Sequence, residues 1–207
     1  MKTLSILSQK GGAGKTTLAI HLAVAAELSG QQTALIDIDP QASATSWGDS
    51  REQESPVVVS AQSSRLEKVL EAAREAGAKL AIIDTAPHSE SASLVAARAA
   101  DFILIPCRPA ILDLRAIGST IDLVKIADKP ASIILNTVPP RGGLAEDAKK
   151  AIAIYEISVC PVYIKNRAAF SNSLTAGLTA QEYEPQGKAA AEIKQLYKWI
   201  CKQMNIK

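Results

Sequence analysis

Aromatic side chains are scarce in this chain: Phe, Trp and Tyr together make 4% of 207 residues. Any core must therefore be filled by Ala, Ile, Leu and Val. Cysteine is limited to three residues, Cys107, Cys160 and Cys201. They are far apart, odd in number and free of any C-x-x-C pair, which argues against a disulfide framework and for a reducing cytoplasm. No apolar run approaches the roughly 20 residues that cross a bilayer. Residues 3–8 are too short and too early for the apolar part of a secretory signal, so no export is expected. What remains is ordinary soluble composition, 47% hydrophobic and 21% charged with a net charge of +2. The length suits one well-buried domain, residues 1–207, rather than two.

The small charge is unevenly spread. Residues 161–207 hold seven Lys or Arg and three Asp or Glu, whereas residues 1–160 hold sixteen and eighteen. A basic final quarter on a near-neutral body points to an anionic partner, although a solvated helix face accounts for the surplus about as well.

Short apolar runs alternate with longer helical patterns. Strands are expected at 3–7, 33–37, 80–84, 102–106 and 132–136, with extended chain at 158–163. Helices are expected at 16–29, ending at Gly30, and at 64–76, opened by a capping box from Ser64 to Glu67. Further helices are expected at 91–99, 112–127, 144–155, 168–176 and 188–204. Residues 48–56 read as polar loop. Most strands are continuous apolar runs, the mark of burial on both faces. The alternation predicts an α/β fold, a mostly parallel twisted sheet flanked by helices on both faces.

Residues 9–17 read Gln9-Lys10-Gly11-Gly12-Ala13-Gly14-Lys15-Thr16-Thr17. Glycines without Cβ atoms let the backbone bend tightly and aim N–H groups at phosphate oxygens. Lys15 is placed to reach the β- and γ-phosphates of a nucleotide, and the Thr16 hydroxyl to sit on Mg²⁺. The strict G-x-x-x-x-G-K-[ST] pattern fails, because Gln9 stands where its first glycine belongs. What survives is K-G-G-x-G-K-T, with Lys10 as a second lysine. Two acidic motifs follow at strand ends, Asp37-Ile38-Asp39-Pro40-Gln41 and Asp84-Thr85-Ala86-Pro87. Ligands of parallel sheets bind beyond the carboxyl ends of strands, so these segments converge on one site. Asp37 and Asp84 are candidate Mg²⁺ supports, directly or through water.

Lys10, the Asp37-x-Asp39-Pro40-Gln41 segment and Asp84 together resemble the deviant Walker family that includes ParA and MinD. The fit is closest to short ParA-type partition ATPases. The likeness runs nearly end to end, through Ile105-Pro106, Leu135-Asn136-Thr137, Arg167-Ala168-Ala169-Phe170, Ala176-Gly177 and Glu182-Tyr183-Glu184-Pro185. It implies ATP and Mg²⁺ as cofactors, bound by Gly11, Gly12, Ala13, Gly14, Lys15, Thr16 and Thr17. It implies an ATP-dependent homodimer in which Lys10 touches the partner subunit's phosphates, a role that supplies roughly 10³–10⁵-fold in rate when an arginine finger fills it. Asp39 would position the attacking water, Asp37 would support Mg²⁺ at one remove, and Asp84 would hold a Mg²⁺-bound water. Asn136 would contact adenine, with the backbone near Pro161 and Val162 framing the base. Residues 38–50 and 85–91 would be switch loops. His88 is expected to be exposed and His21 structural.

The resemblance also implies sequence-blind DNA binding by the dimer, nucleoid association, and a ParB-like or cargo-adaptor protein that stimulates slow hydrolysis. Lys165, Arg167, Lys194, Lys198 and Lys202 are the candidate DNA contacts, with Lys188 nearby; 194/198 and 198/202 share a helix face. Only eight residues precede the loop, so no operator-reading segment is expected there. Three alternatives stand beside this reading. One is a small-molecule ligase of the dethiobiotin synthetase type, which has no need of Lys10 or DNA. The second is a MinD-like membrane-cycling ATPase using the amphipathic last helix, for which core packing is the expected role instead. The third is an iron–sulfur carrier, which needs cysteines at a dimer axis.

Overall fold

The computed structural model describes residues 1–206. Its strands are β1 (Lys2–Ile6), β2 (Thr33–Asp37), β3 (Val57–Ser60), β4 (Leu80–Asp84), β5 (Phe102–Cys107), β6 (Ala131–Leu135) and β7 (Ser158–Val159). They form one seven-stranded sheet in the order β3-β2-β4-β1-β5-β6-β7, parallel at every pairing. The helices are α1 (Lys15–Leu28), α2 (Ser43–Ser50), α3 (Leu66–Glu75), α4 (Glu90–Ala99), α5 (Ile111–Ala127), α6 (Leu144–Ile152), α7 (Ala168–Thr175), α8 (Ala180–Tyr183) and α9 (Lys188–Met204).

The continuous apolar strands serve two layers at once, because successive side chains point to opposite faces. In β4, Leu80 and Ile82 pack with α1 and α9, while Ala81 and Ile83 pack beneath α3 and α4. In β5, Phe102 and Leu104 join the first layer, and Ile103 and Ile105 join α5 and α6 on the other face. The chain builds outward from β1 to β3, returns to place β4 beside β1, and then crosses to β5 on the other side of β1. β1 thus marks the reversal of strand order, where such sheets open a crevice for ligands.

Three expectations change. Residues 43–50 form α2 instead of loop. Its sequence is rich in Ser, Thr and Gly, but Asp37 reaches across to accept from the Thr45 N–H at 3.0 Å, and Ala44 and Trp47 are buried one turn apart. β3, unassigned by the sequence reading, pairs with β2 at the sheet edge. The capping box at Ser64 does not form: the chain enters α3 through a 3₁₀ turn at Ser63–Arg65, which puts Ser64 inside the turn. The capping box lies instead at Thr179 and Glu182, opening α8.

Candidate functional site

The phosphate loop leaves β1 and enters α1 through two left-handed glycines, Gly12 (φ 71°) and Gly14 (φ 90°). A Cβ on Gly14 would also collide with the Asn136 amide. Asn136, one residue beyond β6, donates Nδ2 to the Ala13 carbonyl at 2.7 Å and so braces the loop from the neighbouring strand ends. α1 has no side-chain cap and no acidic residue in its first turn. Its leading N–H groups are left for an anion. Lys15 is buried and donates to the Lys10 carbonyl at 3.4 Å. Burial lowers its pKa, and Asp84 and Asp39 pull it back up. Lys10 is half-buried at the loop's edge.

Asp37 and Asp84 end adjacent strands in direct register, and both are fully buried. Asp84 has no hydrogen-bond partner on either carboxylate oxygen. Burial pushes its pKa up to about 7; the Thr16 hydroxyl beside it pulls down without closing a well-formed bond, and Asp37 adds to the rise. A buried carboxylate with two open oxygens, next to Thr16 and Lys15, fits a divalent cation held through water. Asp37 is different. One oxygen accepts from the Asp39 N–H at 3.0 Å, and the other from the Thr45 N–H at 3.0 Å and hydroxyl at 3.2 Å. Its carboxylate holds Asp39 and the start of α2. Asp39 is half-buried and accepts from the Gln41 N–H at 2.9 Å.

A cavity of about 250 Å³ opens beside the loop, lined by Thr17, Asn136, Ile164, Asn166 and Phe170 among others. Its size and place suit a nucleoside base. Pro161 and Val162 do not line it; the chain that does is 164–167, because Ile164 N–H bonds to the Leu135 carbonyl and turns this run towards β6. Asn136, expected at adenine, lines this cavity and also bonds to the phosphate loop.

Among the candidate DNA contacts, Lys188, Lys194, Lys198 and Lys202 are exposed or half-exposed on α9, whose Ile193, Leu196, Tyr197 and Ile200 pack into the core. Lys165 is half-buried. Arg167 is engaged: its Nη2 donates to Glu192 Oε1 at 2.6 Å, while Glu192 Oε2 takes the Lys165 N–H at 3.1 Å. Glu192 thereby clamps the segment beside the base cavity to α9.

Sequence reasoning missed Arg51. In a stretch read as polar loop, its side chain is 3% exposed and pairs with Glu182 at 2.9 Å, 4.6 Å over the Trp47 ring. The partner is 131 residues away, so no local pattern announces it. Cys107 and Cys160 are buried, and burial pushes both thiols up to about 12, which suits packing rather than ligation. The backbone of His88 has φ 56°, and the residue is exposed, as expected. His21 is buried, bonded through Nδ1 to the Thr17 carbonyl at 2.7 Å.

Comparison with known proteins agrees with this geometry. Residues 4–180 match the family described as the CobQ/CobB/MinD/ParA nucleotide binding domain. The maintenance of carboxysome distribution protein A of Gloeobacter kilaueensis is 29% identical over 208 residues, spanning 99% of this chain and 94% of that protein. Among solved structures, the cell division ATPase MinD of Pyrococcus furiosus superposes with a TM-score of 0.78 at 21% identity, covering 97% of this chain and 98% of that one. The ATP complex of a Cyanothece McdA variant superposes with a TM-score of 0.75 at 18% identity, covering 100% and 97%. The chain belongs to the CobQ/CobB/MinD/ParA nucleotide-binding family.

Proposed function

We propose that this chain, acting as one domain over residues 1–207, is a positioning ATPase of the partition type. ATP pairs two copies face to face, the pair holds DNA without reading its sequence, and slow hydrolysis releases it when a ParB-like or cargo-adaptor protein stimulates turnover. The observation that carries this reading is Lys10. It stands at the edge of the phosphate loop, half-exposed, with its carbonyl taken by Lys15. A lysine so placed has no task on its own subunit's phosphates that Lys15 does not already perform.

Within the site, Lys15 and the loop N–H groups would bind the phosphates, and Thr16 and Asp84 would hold Mg²⁺, Asp84 through water. Bound Mg²⁺ neutralises charge on the phosphate oxygens. Asp39, fastened through its own N–H to Asp37, orients the attacking water. The Lys10 ammonium of the second subunit then meets charge that develops on the transferred group. The Asn136 amide is fixed by Ala13, leaving its carbonyl oxygen as an acceptor that favours the amino group of adenine.

The lysines of α9 support a phosphate-binding face, with Lys194, Lys198 and Lys202 as contacts and Lys165 and Arg167 at its margin. A paired face doubles a weak footprint, so ATP gates DNA retention through avidity. Nucleoid association in the cytoplasm follows from that. The relative's name points to a carboxysome as its cargo; for this chain the cargo class is a plasmid, a chromosome origin or a protein compartment.

The test compares ATPase rate, sedimentation and retention on plasmid DNA for the parent and Lys10→Ala. The expected result is a slow parental rate, ATP-dependent pairing, and DNA retention lost at high salt, with stable pairing and any DNA stimulation lost in the variant, which pairs only weakly and at high protein concentration. A second reading, an ATP-dependent small-molecule ligase, draws on a cleft of about 1150 Å³ beside Asp39, lined by Gln41, Ser60, Gln62, Ser64 and Arg65 among others. A rate indifferent to Lys10 would favour it.

A further inference from the structure

Gln9 replaces the glycine that opens the strict phosphate-loop pattern, and the fold uses what glycine could not provide. The residue is buried, as are its partners Ser93 and Thr120. Its side-chain Nε2 donates to Ser93 Oγ of α4 at 3.0 Å. Its backbone N–H donates to Thr120 Oγ1 of α5 at 3.0 Å. Its carbonyl accepts from the His88 N–H at 3.3 Å. Helices whose contacting residues lie 84 and 111 positions along the chain, together with the loop carrying His88, therefore meet on one residue immediately before Lys10.

The His88 contact has a conformational basis. His88 lies in the left-handed region at φ 56°, which a residue with a Cβ adopts only when its surroundings hold it there. The same loop is tied at its other end by Thr85 Oγ1, which donates to the Ile6 carbonyl at 2.9 Å. Loop 85–89 follows Asp84 directly, so both ends of the segment leaving the cation-facing carboxylate are fastened to the chain that becomes the phosphate loop. On the far side, Lys10 N–H is 3.3 Å from Ser8 Oγ and its carbonyl takes Lys15 Nζ. The Lys10 backbone is thus held between Gln9 and Lys15, and only its side chain is left to reach outward.

We propose that Gln9 is a positioning residue for Lys10: its amide, locked to Ser93 of α4, and its carbonyl on the His88 N–H make the phosphate loop and the 85–93 segment move as one body, which sets the direction in which the Lys10 ammonium leaves the surface. This deepens the reading of Lys10 as a group that acts on a second subunit, and rests on it. The Gln9 side chain is spent on Ser93 and is not a phosphate ligand. Its contribution is to keep the reaching lysine from sampling unproductive directions, which is how a supporting shell acts on a site.

The test uses Gln9→Met, which keeps the side-chain length and removes the amide, and Ser93→Ala, which removes only its partner. In the nucleotide-free protein, hydrogen exchange at 8–15 and 85–93 should accelerate together in both variants, with the rest of the sheet unchanged. With ATP, each should pair about tenfold more weakly in sedimentation, the loss of roughly one buried hydrogen bond, while binding of a fluorescent ATP analogue to the single subunit stays within about twofold. The decisive arm is the double variant. Gln9→Met added to Lys10→Ala should pair no worse than Lys10→Ala alone, because a residue acting through Lys10 has nothing left to position. Additive losses, or exchange that quickens in only one of the two segments, would overturn the assignment while leaving the Lys10 reading intact. If Lys10→Ala pairs as well as the parent, the dimer reading fails and this proposal with it.

Discussion

Asp37 and Asp84 end neighbouring strands, sit opposite each other in register and are both fully buried, yet their surroundings could hardly differ more. Asp37 has donors on both oxygens; Asp84 has no well-formed hydrogen bond on either, only the Thr16 hydroxyl beside it. A folded chain tolerates a buried unpartnered carboxylate only where something else is due to meet it, whereas a fully bonded one is part of the framework. The end of β2 is therefore tied into the framework, and the end of β4 holds the open carboxylate on which the proposed cation site rests. Residue type, strand position and burial are the same, and only the partners separate the two roles.

The largest expected effect comes from breaking the β4 side. Asp84→Ala should lower Mg²⁺-dependent hydrolysis about 100-fold, a scale typical of losing a preorganised electrostatic group, while the nucleotide-free protein unfolds in urea no more easily than the parent. Asp37→Ala should do the reverse in stability. It removes three hydrogen bonds to a charged acceptor, each worth roughly 1.5–3 kcal/mol and not additive, so a loss of about 3 kcal/mol is expected in urea unfolding, with hydrolysis falling because Asp39 is no longer held. If both variants lose stability equally, the division between the two strand ends is wrong.

His21 sharpens the comparison from the cationic side. Like Asp84 it carries a buried atom without a partner, Nε2, but no ligand is due to arrive there. Burial lowers its pKa from 6.5 to about 4. The folded state keeps the ring neutral while the unfolded state takes up a proton below 6.5, so stability is lost as pH falls from 6.5 towards 4 and changes no further through this group below that. The window corresponds to about 3 kcal/mol. Urea midpoints of the parent and His21→Leu, measured across it, should show the acid loss shrink in the variant. The smallest effect on folding should come from the surface: replacing Lys194, Lys198 and Lys202 together with Ala should leave the urea midpoint unchanged while the salt dependence of DNA retention falls by about one unit per lysine that meets a phosphate.

Much of the architecture was legible because its signals are local. Continuous apolar runs such as 80–83 and 102–105 announce two-sided burial, and Gly30 marks the end of α1 where the pattern predicts. Lys10, Lys15, Thr16 and the two strand-end carboxylates were legible for the same reason, since nucleotide chemistry demands particular residue types close together in sequence. α2 was not legible. Its capping carboxylate is Asp37, eight residues from Thr45, and its far end is secured by Arg51 on Glu182. The capping box predicted at Ser64 shows the converse: a correct local pattern displaced by a 3₁₀ turn, while the motif forms at Thr179 and Glu182, beside Arg51.

By itself the sequence determined that this chain makes a parallel α/β sheet with a phosphate loop and carries a second lysine ahead of it, because periodicity, glycine placement and residue chemistry act over a few positions. Only the tertiary structure decided which of two similar aspartates has open oxygens, which helices tie down the residue before Lys10, and which run of chain lines the cavity beside the loop. The ties made by Gln9, Thr85 and Asn136 run to hydrogen-bond partners 79 to 123 residues away, and distance in space is a property that no window along the chain can carry.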